Sequence, residues 1–471
     1  MLNVLFCYSR FSSFTNAVRD YARAFGDYSE HRIHYYDMDS GSFDFDLGPF
    51  DCIIFNYCYW ARFLPATPDF HKRIAEFPGL KIAIFQDEYD SFLWHENTVL
   101  AMRFNSIITC VPEAHWHDVF RNDAFRNVEF INALTGYVPD SLLHLPQAKP
   151  LASRRWAIGY RGRPVPFFYG RLTREKFLIG QRMKELCSER GIAENIEVTE
   201  ASRIYGAAWP EFIGNCQTVL GTESGSNFFD FDGTLKPSIA AYLKANPDAD
   251  FESVYERFLK GHDGKIRMNQ VSPRIFEAIA MRTGLVLFEG AYSGVVQPWE
   301  HFIPLKKNFS NINEVLAAIA DLPSLEAMIQ RAYTDVIASG KYHFRTFIQR
   351  IDSHISERVP VGQGYEPYYG LVAWRATADA ALQRVSGQNS RVPTNRPLLH
   401  IDKPPDPFIE FQFDLGAMRR NLVWRYEAVL YSNGGRWLKE RFQKNQFVYS
   451  FLRKCIHLLT GRSDKKPSGK F

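Results

Sequence analysis

Cysteine is scarce and unpaired in this chain of 471 residues: there are seven thiols, none in a C-x-x-C pair and none at metal-ligand spacing. An odd, scattered set argues against a disulfide framework and a zinc module, and sets the expectation of a reduced, cytoplasmic setting. Long hydrophobic runs are missing too. No apolar stretch reaches the roughly 18 residues of a membrane-spanning helix. The start, Met1-Leu-Asn-Val-Leu-Phe-Cys-Tyr8, has neither the basic beginning nor the small-residue cleavage site of a secretory leader, and reads as a first strand. The full dinucleotide fingerprint G-x-G-x-x-G is absent, as are internal repeats and low-complexity tracts. Net charge is only +4, and no nucleic-acid partner is expected.

What is present is an ordinary globular composition, 46% apolar and 23% charged, in a chain long enough for two substantial cores. Residues 1–150 alternate short apolar runs with stretches of helical period, the rhythm of a parallel α/β sheet. Strands are expected at 3–7, 51–57, 81–85 and 106–111. Functional groups of such sheets collect beyond the carboxyl ends of the strands. That singles out Ser9, Arg10 and Ser12 after the first, Gln86 to Asp90 after the third, and Glu113, His115 and His117 after the fourth. A polar seam at 147–155, with Pro146 and Pro150, marks a domain boundary, and a second α/β domain is expected over 151–340. It opens with Trp156-Ala-Ile-Gly-Tyr-Arg-Gly-Arg163, a strand running into a basic loop. Arg161, Arg163, Arg171, Arg174 and Lys176 stand before or at the start of a helix expected over 172–190. They can hold a diphosphate through guanidinium forks and helix-terminal amides, or form a solvated basic face; the sequence admits both.

A helix at 207–216, a strand at 218–221 and the polar turn 222–225 follow, then an insertion over 226–270. Ser272-Pro-Arg-Ile-Phe-Glu-Ala-Ile-Ala-Met-Arg-Thr-Gly284 reads as a helix entered through proline and closed by glycine, leading into a buried strand at 285–288. Arg274 and Glu277 fall on one side near its first turn. Free amides and the helix dipole there favour an anion, and a carboxylate can accept hydrogen bonds from two vicinal hydroxyls. Both features suit a sugar nucleotide. Two further helices lead to Ser339, a last helix spans 341–356, a proline-rich extension spans 357–417 and a tail spans 418–471. Residues 419–471 carry thirteen Lys or Arg against Glu427, Glu440 and Asp464, and apolar residues from Leu438 to Leu459 recur at helical spacing. Such a basic amphipathic segment, 436–466, can rest on an anionic membrane surface or dock on protein.

One motif points elsewhere. Asp230-Phe-Asp-Gly-Thr-Leu235 spells the nucleophile motif of haloacid dehalogenase-like phosphatases, in which Asp230 would attack phosphorus, Asp232 would serve as acid/base and Mg²⁺ would sit between them. Only Phe228-Phe229 precede it where a buried strand is required, and no downstream strand ends in the paired carboxylates of a Mg²⁺ site. An acidic turn within an insertion is the plainer reading.

Taken together, Gly159-Tyr-Arg-Gly-Arg163, Leu220-Gly-Thr-Glu-Ser-Gly225, Ser272-Pro-Arg-Ile-Phe-Glu-Ala-Ile-Ala280, His301-Phe-Ile-Pro-Leu305 and Lys341-Tyr-His-Phe344 resemble the C-terminal half of GT-B glycosyltransferases of the glycosyl transferases group 1-like family. The resemblance implies an α/β fold of two Rossmann-like domains facing a cleft, followed here by a helical C-terminal extension. It implies a nucleotide-sugar donor held mainly by the second domain, with Glu277 on the ribose hydroxyls and the last helix crossing back to the first domain. The family's E-x7-E pattern is broken, since Asn269 stands eight residues before Glu277; Glu223 is the candidate substitute. Arg161, Arg163, Arg171 and Arg274 are candidates for the diphosphate, with Ser272 and Gly225 lining the donor site and no metal or cofactor required. A base for the acceptor hydroxyl is expected from the first domain, Asp87 or Glu88 with His115 behind them. The acceptor expected is a glycan or lipid-linked glycan. A phosphatase using Asp230 and Asp232, or a non-catalytic nucleotide-sugar binder of the same fold, is the alternative.

Overall fold

The computed structural model describes residues 1–359 apart from 10–15, 39–44, 61–67, 91, 146–147, 205 and 207. Arg10, Ser12, nearly all of the proline-rich extension and the basic tail lie outside the described residues.

Two parallel sheets form the framework. The first contains β1 (Asn3–Tyr8), β2 (Arg32–Asp37), β3 (Cys52–Phe55), β4 (Leu80–Ile84), β5 (Ser106–Thr109) and β6 (Glu129–Asn132), in the order β2-β1-β3-β4-β5-β6. The second contains β7 (Trp156–Arg161), β8 (Glu194–Glu197), β9 (Cys216–Gly221), β10 (Gly284–Phe288) and β11 (Ile303–Leu305), in the order β11-β10-β9-β7-β8. Every pairing is parallel. Strands β3, β4 and β10 are buried along their whole length, as helices on both faces require. Each fully covered Ile, Val, Leu or Phe contributes about 1.5–3 kcal/mol. This is the two-Rossmann GT-B arrangement, and in each half the order reverses beside the first strand, where such sheets open a crevice.

Four helices position the residues of interest: α1 (Asn16–Tyr28) after β1, α2 (Gly170–Arg190) after β7, α3 (Ala208–Gly214) before β9, and α4 (Leu235–Ala245) within the insertion. Two more follow, α5 (Pro273–Ala280) before β10 and α6 (Phe344–Arg358) at the end of the described chain. Although it follows the second domain, α6 packs Phe344, Phe347, Ile348, Ile351 and Ile355 into the core around Tyr21 and Phe25 of α1. Ser29 Oγ and the Glu30 amide both donate to the Asp352 carboxylate, at 2.7 and 2.8 Å, and fix the junction. In the other direction, Val138 joins the second domain's core, with Leu142, Leu143 and Leu145 packed against it; the chain changes domain before residue 147 because these side chains find apolar cover there.

The insertion is shared rather than a lobe of the second domain. Phe228, Ile239, Phe251, Val254 and Leu259 make a small core of their own, but Phe229, Ile266 and Met268 are built into the core of the first domain. The Asp230 amide donates to Tyr89 O at 3.0 Å and the Leu93 amide to Phe231 O at 2.8 Å, so residues 229–231 strap one domain to the other beside the carboxyl end of β4. A pocket of about 410 Å³ lined by Leu142, Leu145, Arg154, Ile329 and Tyr333 opens at the opposite, amino-terminal ends of the second sheet.

Candidate active site

The carboxyl ends of the two sheets face each other, and α2 and α5 supply most of the charged groups between them. Helix α2 buries Leu172, Thr173, Ile179, Gly180 and Met183. Lys176 falls on that same helical face, so a cation is carried inward where an apolar residue would be usual. Its Nζ donates to Ser224 Oγ at 3.4 Å. Burial first, then Arg274 and Arg163, lower its pKa to about 8, with Asp87 across the cleft acting in the opposite sense. Among the described residues Lys176 has no carboxylate at ion-pairing distance.

Helix α5 starts at Pro273 after Ser272, whose hydroxyl caps no amide. Arg274, exposed, donates to Arg161 O at 2.6 Å, and its guanidinium lies 5.2 Å from the Trp209 ring centroid. No acid pairs with it among the described residues. One turn on, Glu277 Oε2 accepts from Trp209 Nε1 at 2.7 Å, while Oε1 accepts nothing from the described residues. Burial raises the Glu277 carboxyl, and the Trp209 bond and Arg274 oppose that rise. Asp20 of α1 feels Glu277 across the cleft: burial, partly countered by Arg23 and Arg19 and reinforced by Glu277, lifts it to about 6.

From the first domain, Asp87 opens to the cleft. Its Oδ1 accepts from Tyr89 at 2.6 Å, and the surrounding protein raises its pKa against the pull of that bond and of Lys176. Glu88 is different. It is 1% exposed, accepts from Thr109 Oγ1, and keeps an unpartnered, buried Oε2; burial pushes it up to about 7. A carboxyl enclosed in this way does not reach an acceptor in the cleft. His115 pairs with Asp118 at 2.9 Å on a short helix after β5, and none of its described contacts reaches Asp87.

Several expected donor ligands are engaged elsewhere. Arg161 turns back to Asn195, donating to its carbonyl and to Oδ1, each at 2.8 Å, and stacks on Phe212 at 4.2 Å. Arg171 forms a two-pronged pair with Glu252 of the insertion, at 3.1 and 2.8 Å, and covers Tyr255 at 3.9 Å. Arg163 remains exposed at the cleft, with Glu200 at 3.8 Å. Gly225 serves the turn: its φ is +89°, and a Cβ there would lie 2.8 Å from Met268 Cβ.

Glu223, 1% exposed, has both oxygens in use. Oε1 accepts from the Ala291 and Tyr292 amides at 2.6 and 3.0 Å, and Oε2 accepts from Asn269 Nδ2. Asn269 Oδ1 in turn accepts from Asn227 at 3.0 Å, linking the insertion to this corner. Asn269, Tyr292 and Ser293 all have φ between 43° and 53°, a left-handed conformation that L side chains adopt only when neighbours hold it. A glutamate at 269 would set two carboxylates together, so the acid and its amide partner form one structural unit that shapes the loop after β10.

The phosphatase motif is a turn. The Asp230 carboxylate accepts from the Leu235 and Lys236 amides at 3.3 and 3.0 Å, holding the start of α4, and Asp232 Oδ1 accepts from the Thr234 amide and hydroxyl at 3.0 and 2.7 Å. No buried strand presents either acid. Lys236 pairs with Asp90 at 2.9 Å and Tyr169 OH donates to Asp90 at 3.1 Å, completing the strap.

The sequence places Lys176 only among the basic residues around the start of its helix, outside the narrower donor set, and does not point to Trp209 or Asp20. Lys176 had a legible signal, a lysine in phase with the apolar stripe of its helix; Trp209 and Asp20 had none short of the fold.

No model of a known protein family matches the sequence, and no curated protein matches it. Solved structures do resemble it. An α-glucosyltransferase in complex with UDP-glucose and DNA containing an abasic site is 10% identical over 75% of this chain and 99% of its own, with a TM-score of 0.46. T4 phage BGT with its UDP-glucose substrate is 10% identical over 77% and 100%, with a TM-score of 0.43. Anabaena HepE with UDP-glucose is 12% identical over 76% and 100%, with a TM-score of 0.41.

Proposed function

We propose that the protein is a GT-B glycosyltransferase that takes a nucleotide sugar in the cleft and transfers the sugar to a hydroxyl of a glycan or lipid-linked glycan. The observation that carries this is the convergence of Lys176 and Arg274, two cations with no acid at ion-pairing distance among the described residues, beside the half-used carboxylate of Glu277. The diphosphate meets Lys176 and Arg274, with Arg163 at the rim, and the charge that develops on it as the glycosidic bond breaks is balanced by these side chains without a metal ion. Glu277 Oε1 accepts from the ribose. Asp87, opposite Lys176, is positioned to take the acceptor's proton, and its raised pKa suits that role. Thermal denaturation with a panel of UDP-, GDP-, ADP-, CDP- and dTDP-sugars tests the reading: at least one should raise Tm by several degrees, as saturating ligand must, and a flat panel would contradict it.

No helix among the described residues is long and apolar enough to cross a membrane. From its sequence alone, the basic segment 436–466 is proposed to bring a cytoplasmic enzyme to the anionic inner leaflet. The full chain should co-sediment with phosphatidylglycerol vesicles and a chain ending at 417 should not; equal sedimentation would remove the proposal.

A further inference from the structure

The indole of Trp209 packs against two neighbours. Phe212 stacks against it with ring centroids 5.6 Å apart and planes 25° from parallel, and the Arg274 guanidinium lies 5.2 Å from its centroid. Its edge is therefore fixed, and the one donor on that edge is spent on Glu277 Oε2 at 2.7 Å. This bond does two things to a carboxylate whose pKa burial raises. It stabilises the ionised form, and it fixes the carboxylate plane so that Oε1, which accepts nothing from the described residues, is the oxygen presented. An ionised, oriented oxygen is a strong acceptor for a hydroxyl and has nothing to offer a C–H in the same place.

We propose that Trp209 is a positioning and specificity residue: by anchoring one oxygen of Glu277 it makes the other a reader of a ribose hydroxyl, so that the cleft selects ribonucleotides over their deoxyribose counterparts. This rests on the nucleotide-sugar reading of the cleft. Trp209 itself touches no reacting atom in this account. Its hydrogen bond, rather than its bulk, carries the selectivity.

The test is calorimetric titration of the full chain with UDP, GDP, ADP and CDP, each followed by its 2′-deoxy and 3′-deoxy forms, on wild type, Trp209→Phe and Glu277→Gln. Phenylalanine keeps an aromatic ring beside Phe212 and Arg274 and removes the indole N–H together with part of the ring area. Wild type should prefer the best ribonucleotide over at least one deoxy form by roughly tenfold or more, the worth of a hydrogen bond to a charged acceptor. In Trp209→Phe that preference should shrink to within about threefold. Affinity for the deoxy form should stay where it was, and the melting curve without nucleotide should remain within a degree or two. A preference that survives Trp209→Phe would overturn the proposal, as would equal weakening of ribo and deoxy forms, which marks a merely structural tryptophan. A wild type that binds the deoxy forms equally well would overturn it too. A wild type that binds none of these nucleotides refutes the donor-site reading itself, an outcome distinct from a wild type that binds them without discrimination.

Discussion

Lys176→Ala weakens binding of a nucleoside diphosphate by roughly 30- to 100-fold and lowers turnover by about 10²–10³-fold, the loss seen when a preorganised donor to a developing oxyanion is removed. The reason is placement. Lys176 is a cation on the buried face of α2, without an acid at ion-pairing distance among the described residues, and its own pKa has been driven down to about 8. A bound diphosphate restores the charge that burial opposes, so binding near pH 8 to 9 takes up a proton. Titrations in buffers of different ionisation enthalpy will read that uptake directly, and Lys176→Ala should abolish it. Stability without ligand runs the other way. The folded-state pKa lies below the unfolded one, so the charged lysine costs stability below about pH 8, and that cost is relieved as pH rises toward the unfolded value. Diphosphate affinity that falls through pH 8 while the apo protein gains stability is a signature that a surface lysine does not produce. Affinity in Lys176→Ala within threefold of wild type would show that the diphosphate lies elsewhere.

Glu223→Ala should be the most damaging single change to the second domain. It strips the acceptor from three donors, the Ala291 and Tyr292 amides and Asn269 Nδ2, in a site with no solvent to replace it. Hydrogen bonds to a buried charge and the donors left unsatisfied together put the loss at about 3–5 kcal/mol. For a domain of this size that is a fall in Tm of roughly 10 °C. The left-handed residues Tyr292 and Ser293 lose what holds them, and hydrogen exchange at 290–294 should rise with the fall in Tm. Donor affinity in the fraction that stays folded should be reduced less than in Lys176→Ala, because Glu223 has no oxygen left for a ligand. A melting temperature unchanged within two degrees would contradict this role.

Every interior strand of both sheets is legible as an apolar run, because strands covered on both faces have nearly no polar residues. The strands that escape notice are β2, β6, β8 and β11, and each is an edge strand. Glu129-Phe-Ile-Asn132 and Glu194-Asn-Ile-Glu197 bury too little to break the polar pattern around them. The site follows the same logic. Glu277 and Arg274 are legible because proline and helix period fix where their helix begins; it ends at Ala280, earlier than the glycine suggests, and Gly284 opens β10 instead. Arg161 and Arg171 look equivalent to Arg274 in the sequence, yet Asn195 and Glu252 claim them, and both partners come from segments that only the fold brings near. The strap at 229–231 is hidden for a related reason: its Asp-Phe-Asp sequence advertises chemistry, while its backbone pairing with Tyr89 and Leu93 is what it does.

The central claim is that a nucleotide sugar is bound through Glu277 and the cations beside it. Calorimetric titration of the nucleotide sugar that most raises Tm, on wild type, Glu277→Ala and Asp230→Asn, tests it most directly. The account predicts saturable binding to wild type, at least tenfold weaker binding to Glu277→Ala, and binding to Asp230→Asn within threefold of wild type. Binding indifferent to Glu277→Ala, or lost in Asp230→Asn with Glu277→Ala unaffected, would contradict it.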